Sequence, residues 1–242
     1  MRSFFDVVKE FSFPVDPSVE QLLREDRAAI ARHWTRRADS EMRVGHAFDA
    51  LLPRLEAMNA PKVVTTLVAS AAADEQRHSG ICSRLAALYG GDPLEASQLV
   101  RAPLPEFGTD DERMEVSLLV LGLSCINESI ACEWIRSCYH ISSAPIAIAA
   151  TRFHLQDEMD HARFGWAYMA SETVSPAMRG ELRRWVSRMV DVNVAEWKRG
   201  NTHIPEGGIA AHGHLSVIEH DAAIDRAIRD VVRPGLRQVG LL

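Results

Sequence analysis

A chain of 242 residues with 47% hydrophobic content has enough material to bury a sizeable core, and its length fits one large domain or two small ones. The formal net charge of -6, with no block of Lys or Arg, gives no field for phosphate backbones or anionic lipid, so nucleic-acid and membrane partners are not expected. The four cysteines, Cys82, Cys125, Cys132 and Cys138, include no Cys-x-x-Cys pair; that argues against a rubredoxin-type or zinc-ribbon site and leaves reduced, mostly buried thiols as the expectation.

The opening MRSFFDVVKEF carries Asp6, Lys9 and Glu10 and so lacks the apolar run of a signal peptide. No later stretch reads as long and apolar enough to span a bilayer, and a soluble, cytoplasmic protein is expected. Apolar residues then recur at steps of three and four without strict alternation, which reads as helix throughout. The first long helix is expected from about Asp26 to Met58, with a break at Asn59-Ala60-Pro61-Lys62, where Pro61 suits the first turn of the next helix. That second helix runs to about Tyr89 and stops at Gly90-Gly91. Residues 92–108, DPLEASQLVRAPLPEFG, have three prolines and no helical stripe, and read as a long connection.

A third helix is expected from Thr109, with Glu112 completing a capping box, to about Cys138. The turn HISSAP leads to Pro145 and a fourth helix ending near Thr173. Ser175 caps a fifth, with Pro176 at its first position and Gly200 after its end. A glycine-rich loop follows, and Ser216 with Glu219 forms a second capping box for a last helix to about Val232. No low-complexity linker divides the chain, so a single domain over 1–242 is expected, with a core bundle over about 26–173 and C-terminal helices over about 175–242.

The chemistry is concentrated in HLQDEMDH, residues 154–161. Glu158-x-x-His161 on an α-helix sets the two side chains about 300° apart in rotation, or about 60° across one face, so both can reach one metal ion. One such pair is expected by chance. The second helix carries another, Glu75-x-x-His78, and an aspartate precedes each glutamate, Asp74 and Asp157. Two Asp-Glu-x-x-His strings arise by chance in on the order of one such chain in a thousand. If the two motifs face each other, the two remaining helices of a four-helix bundle should each offer one buried carboxylate. Glu128 meets that requirement on a face with Leu121, Ser124, Cys125, Ala131, Cys132 and Ile135, where a lone carboxylate is costly. Glu41 meets it on a face with Trp34, Ala38, Val44, Gly45, Phe48 and Leu52.

Glu41, Glu75, His78, Glu128, Glu158 and His161 together resemble the ferritin-like dimetal-carboxylate proteins over residues 30–172, and the long link between helices two and three matches the crossover of such bundles. The resemblance implies bridging carboxylates from Glu75 and Glu158, terminal ones from Glu41 and Glu128, one imidazole per metal, and Asp74 and Asp157 accepting hydrogen bonds from the histidine rings of the opposite motif. It also implies two iron ions, with a manganese–iron pair as the alternative, and dioxygen as co-substrate. His154, four residues before Glu158, places a third imidazole on the same stripe. The order His-x-x-x-Glu-x-x-His resembles the arylamine N-oxygenases, diiron enzymes that use dioxygen to oxygenate aromatic amines. Whether His154 is a ligand or packs beside the ligands stays open.

The expected activity is therefore that of a diiron oxygenase acting on a small organic molecule. Its expected partners are that substrate, an external electron donor and, as an open option, a second copy in a homodimer. An iron-handling protein of the bacterioferritin or rubrerythrin kind shares the six-ligand set and stays open beside it. So does a non-catalytic helical interaction module whose buried acids pair with arginines such as Arg37 and Arg77. The residues one turn from the ligands, Leu121, Ser124, Cys125, Ala131, Cys132 and Ile135, are expected to be mostly core, and they are also where the wall of a small-molecule pocket between helices is expected. His212 and His214 read as plain loop residues, and His33, His46, His140 and His220 as surface histidines.

Overall fold

The computed structural model describes residues 11–92, 103–200 and 204–242. Among these residues every named element is helical, and an isolated antiparallel bridge between Ile209 and His214 is the one β-type pairing. A single turn, α1 (Ser18–Gln21), precedes two long helices, α2 (Arg24–Ala57) and α3 (Lys62–Leu88). After the connection come α4 (Glu112–Ile141), α5 (Pro145–Ala170), α6 (Pro176–Arg199) and α7 (217–238). Residues 1–10, on which the absence of a leader was read, lie outside the described residues, as does the 93–102 part of the connection.

α2 buries Ile30, Trp34, Ala38, Glu41, Gly45, Phe48 and Leu55, a stripe at steps of three, four and seven that faces α3. The two helices are antiparallel, because Arg27 reaches the Tyr89 carbonyl, Ser79 donates to the Ala38 carbonyl, and Gln76 donates to Asp49. Gly45 lets them approach at the level of the acids, since a Cβ there would stand 3.1 Å from the Glu75 Cβ. α2 and α3 stop in the same way. Ala60 N–H returns to the Leu55 carbonyl around Asn59 at φ 55°, and Gly91 N–H to the Ala86 carbonyl around Gly90 at φ 83°.

α4 differs from expectation in three respects. It starts at Glu112, capped by Asp111, whose carboxylate accepts from the backbone of Arg113 and Met114, while Thr109 only accepts from Asp111 N–H. Glu112 cannot serve as the reciprocal acceptor of a box because Arg54 of α2 takes both its oxygens, at 2.6 and 2.9 Å. Its middle, Leu121–Glu128, is a π-helical segment in place of regular α-helix. Contrary to the expectation that no such stretch exists, Glu112–Ile141 is long and apolar enough to cross a bilayer. The helix earns its apolar composition in another way, with 83% of its most apolar window buried against neighbouring helices.

α6 and α7 begin as expected, on Ser175 and on the Ser216–Glu219 capping box. α7 runs past Val232 to Gln238 through a second π segment, Ile228–Val232, just before Pro234. The wider backbone there accommodates a residue that lacks an N–H and would otherwise crowd the preceding turn.

Two large apolar cores and a smaller cluster around Trp134, Ile135 and Cys138 flank a polar layer. One joins Phe48, Leu55 and Val68 to Leu119, Ile126, Phe164, Tyr168 and the C-terminal helices. The other joins Ile30, Trp34 and Ala38 to Ile81, Leu85, Tyr89, Ile146 and Ala150. The acids and histidines of α2, α3, α4 and α5 lie between them.

Candidate metal centre

All seven expected ligands, Glu41, Glu75, His78, Glu128, His154, Glu158 and His161, are buried, none more than 6% exposed. Six of them form two overlapping groups. Glu41, Glu75, His78 and Glu158 make one, and Glu75, Glu128, Glu158 and His161 make the other, with one ligand atom from each residue lying within 4.8 Å of the rest of its group. Glu75 and Glu158 belong to both. A carboxylate has two oxygens, so each can serve two neighbouring cations at once.

The imidazoles are oriented by the paired aspartates. His78 Nε2 lies 3.2 Å from Asp157, and its Nδ1 faces Glu75, Glu158 and Glu41 at 3.7, 3.8 and 3.9 Å. His161 Nε2 faces Asp74 at 3.5 Å, and its Nδ1 lies 3.0 Å from Glu75 and 3.1 Å from Glu158. Each ring thus turns one nitrogen outward to an aspartate of the opposite motif and the other inward to the shared glutamates. Arg77 bridges the two aspartates, at 2.6 Å from Asp74 and 2.8 Å from Asp157. Arg37 holds Glu41 at 2.7 Å and reaches Glu158 at 3.6 Å.

The residues fit a pair of metal ions on two counts. Glu75 Oε2 and His78 Nδ1 are buried inside the cluster with no hydrogen-bond partner, an arrangement that costs free energy unless something binds there. Charge gives the second count. Six acids (Glu41, Asp74, Glu75, Glu128, Asp157 and Glu158) face two arginines, leaving four negative charges when the histidines are neutral. That equals the charge of two divalent cations.

Proton affinities show the same deficit of positive charge. Burial pushes the Glu128 carboxyl well above the usual range, and the neighbouring Glu158 and Glu75 push it further. Burial raises Glu41 too, against the pull of Arg37. Burial also opposes the charge on Glu75, yet the neighbouring Glu41 carboxyl and the His161 and His78 imidazoles hold it well below the usual range. His78 rises to about 9 because Asp157 and Glu75 outweigh its burial, and His161 is raised for the same reason by Asp74, Glu158 and Glu75.

His154 stands just outside the two groups. Its Nδ1 is 2.8 Å from the Ala150 carbonyl, so that nitrogen carries the proton and Nε2 presents a lone pair. Its ring centroid is 4.4 Å from that of His78, and its Nε2 forms a third group with Glu41 and Cys82. Burial, with His78 and Arg37 nearby, keeps it neutral far below the ordinary histidine range.

The π segment of α4 supplies further positioning. Ser124 donates to the His161 carbonyl at 2.6 Å and accepts from Gly165 N–H at 3.0 Å, so its hydroxyl is inserted into the α5 backbone at the level of a candidate ligand. Asn127 donates to Glu128 at 3.0 Å and accepts from the Trp197 indole of α6 at 2.9 Å. Sequence reading missed both links, because an i to i+4 wheel does not describe a π turn. A Trp on a mostly exposed helix gives no sign of its target.

A cavity of about 700 Å³ opens onto Glu41, Glu75, Glu128 and Glu158. Val44, Leu104, Leu123, Ala131, Trp134 and Trp197 form apolar parts of its wall, and Arg36, Arg37 and Arg43 polar ones. Of the expected wall residues only Ala131 lines it. Leu121, Ser124, Cys125 and Ile135 are buried, in line with the expectation that most of this set is core.

The histidines set aside by sequence reading are mostly internal. His220 is buried, accepting from the Trp134 indole at 3.0 Å and lying 2.9 Å from the Trp197 carbonyl. His212 is buried against the Tyr89 hydroxyl at 2.8 Å. His214 is buried with neither ring nitrogen hydrogen-bonded, its ring 4.6 Å from that of His33. His140 is exposed as expected. The loop folds inward because the Ala211 carbonyl accepts from Ser143 and Ala144 N–H ahead of α5.

No protein-family model, curated protein or solved structure matches the chain. Fold and site together define an all-helical protein with buried glutamate and histidine clusters that can hold metal ions.

Proposed function

We propose that the chain is a ferritin-like, non-haem dimetal oxidoreductase that uses dioxygen to N-oxygenate or hydroxylate a small organic molecule, with aromatic amines the first class to test. The observation that carries this reading is the pair of four-residue groups sharing Glu75 and Glu158, with a cavity leading to them. Glu41 and His78 would hold one ion, Glu128 and His161 the other, and Glu75 and Glu158 both. Oxygen-rich donor sets with one nitrogen per metal suit an iron pair, or manganese with iron. When bound, the two ions supply the electrons and the Lewis acidity for dioxygen reduction.

The chain's own residues provide the setting. Asp157 hydrogen-bonds His78 Nε2 at 3.2 Å and would fix the tautomer that ring presents inward, while Asp74 faces His161 Nε2 at 3.5 Å. Arg37 neutralises part of the Glu41 charge and stacks over Trp134 at 5.1 Å from the ring centroid, joining the cluster to the cavity wall. Trp134, Trp197 and Leu123 offer flat apolar surface against which an aromatic ring can pack. Reducing equivalents would have to come from an external donor. A ferroxidase would use the same ligand set, but it has no need of the apolar wall that Val44, Leu123, Trp134 and Trp197 form beside the acids. The cavity therefore favours an organic substrate.

The test is to mix the ferrous protein rapidly with dioxygen and follow visible absorption, with and without an arylamine. A transient band whose decay is hastened by the amine, with an oxygenated product, supports the proposal. No transient and no product, from protein shown to contain two irons, would overturn it. His154→Ala is expected to fold normally and to shorten the life of the transient severalfold. An unchanged transient would remove the arylamine oxygenase subclass.

A further inference from the structure

A thiol adjoins the Glu41 end of the centre. Cys82 lies one helical turn beyond His78 on α3 and is fully buried. Its Sγ stands 3.5 Å from His154 Nε2, and Glu41, Cys82 and His154 each bring one ligand atom within 4.8 Å of the other two. Because the His154 Nδ1–H is occupied by the Ala150 carbonyl, the nitrogen turned to the sulfur is the one with the lone pair. The separation also has a metric meaning. A thiolate about 2.3 Å and an imidazole about 2.05 Å from one tetrahedral cation stand about 3.6 Å apart.

Cys132 is a natural contrast. It lies four residues after Glu128, near the other end of the centre, yet it joins no such group among the described residues.

We propose that Glu41, Cys82 and His154 form a third cation position beside the carboxylate pair, and that its sulfur, nitrogen and oxygen donors take a thiophilic ion such as Zn2+ or Cu+. The two other groups contain no sulfur and suit harder ions, so the third differs from them in preference as well as in place. On binding, the Cys82 S–H bond breaks, an Sγ–metal bond forms, and the proton leaves to solvent. Without metal, the same pair of atoms shares an S–H to nitrogen hydrogen bond. This position shares Glu41 with the carboxylate pair and adjoins Arg37, which holds Glu41 at 2.7 Å, and it goes beyond the dioxygen chemistry proposed above.

Co2+ added to the metal-free full chain is the probe, because thiolate-bound cobalt absorbs in the near ultraviolet by charge transfer and carboxylate-bound cobalt does not. The wild type is expected to show this absorption and to saturate at one thiolate-bound ion per chain. Cys82→Ser should abolish it and Cys132→Ser should retain it. Its absence from the wild type, or its survival in Cys82→Ser, overturns the proposal. A measurement that needs no variant guards against misfolding. X-ray absorption of the wild type with one equivalent of Zn2+ should show a sulfur neighbour at about 2.3 Å. A shell of nitrogen and oxygen alone overturns the proposal. Iron content separates the two readings, since a wild type that shows the thiolate band but binds no iron refutes the dimetal oxidoreductase and supports the third position.

Discussion

His78 and His161 each point one ring nitrogen at the shared glutamates and the other at an aspartate from the opposite helix. That reciprocity makes Asp157 a positioning residue. Asp157→Asn removes the charge that favours an inward-facing His78 Nδ1 and weakens the tie to Arg77. Metal affinity should fall by about 10- to 100-fold, as measured by competition with a chelating dye, with helical circular dichroism retained. His214 permits a prediction that needs no metal. Burial holds its imidazole neutral down to about 3, whereas the unfolded chain protonates at the ordinary 6.5. Its contribution to stability is complete above 6.5 and is lost as pH falls toward 3, because the unfolded state takes up the proton first. At pH 5 the loss from this residue is about 2 kcal/mol. His214→Phe should therefore flatten the acid limb of a urea-unfolding series between pH 7 and pH 5 by about that amount. An equally steep limb would show that His214 is not buried as described.

α4 and α5 meet where Ser124 enters the backbone between His161 and Gly165. A Cβ on Gly165 would lie 2.3 Å from the Ser124 hydroxyl and 2.7 Å from its Cβ, so Gly165→Ala must push the helices apart. The expected cost is about 1 to 3 kcal/mol in thermal or urea unfolding, together with weaker metal binding at the His161 end. A neutral substitution would mean that the contact is looser than described. The helices themselves were readable from residue pattern alone, since Ser175, Gly90, Pro145 and the Ser216–Glu219 box are local signals and act locally. Where a signal depended on a partner, it misled. Thr109 and Glu112 have the form of a capping box, but Arg54 of another helix claims the glutamate. The π segments of α4 and α7 were invisible for a related reason. A single widened turn leaves the apolar periodicity nearly intact while changing which side chain faces which neighbour.

In the whole molecule, a layer of acids is held among apolar cores by two arginines that neutralise only part of it. Sequence could reach the grouping of Glu41, Glu75, His78, Glu128, Glu158 and His161 because a repeated Asp-Glu-x-x-His string restricts which helix faces must converge. It could not reach the cavity, whose wall draws on Leu104 from the connection and Trp197 from α6, residues with no common pattern. It misread His220 as a surface residue because its burial depends on Trp134 and Trp197 of other helices, and it could not foresee the burial of the loop residues His212 and His214, which follows from backbone acceptors such as Ala211. The charge left over by Arg37 and Arg77 also bears on stability. Two divalent cations should convert a strained metal-free protein into a markedly firmer one. At free metal about 100-fold above its dissociation constant, each ion adds about 2.7 kcal/mol, read as a rise in unfolding midpoint.

The most direct measurement is elemental analysis of the protein after reconstitution with ferrous iron under anaerobic conditions and removal of loosely bound metal. Two irons per chain are predicted, falling to one or none when Glu75 or Glu158 is replaced by alanine in a variant that keeps its helical spectrum. A wild type that folds fully yet retains no metal would contradict the dimetal centre, and would leave the buried acids as partners of Arg37 and Arg77 in a helical protein without a metal.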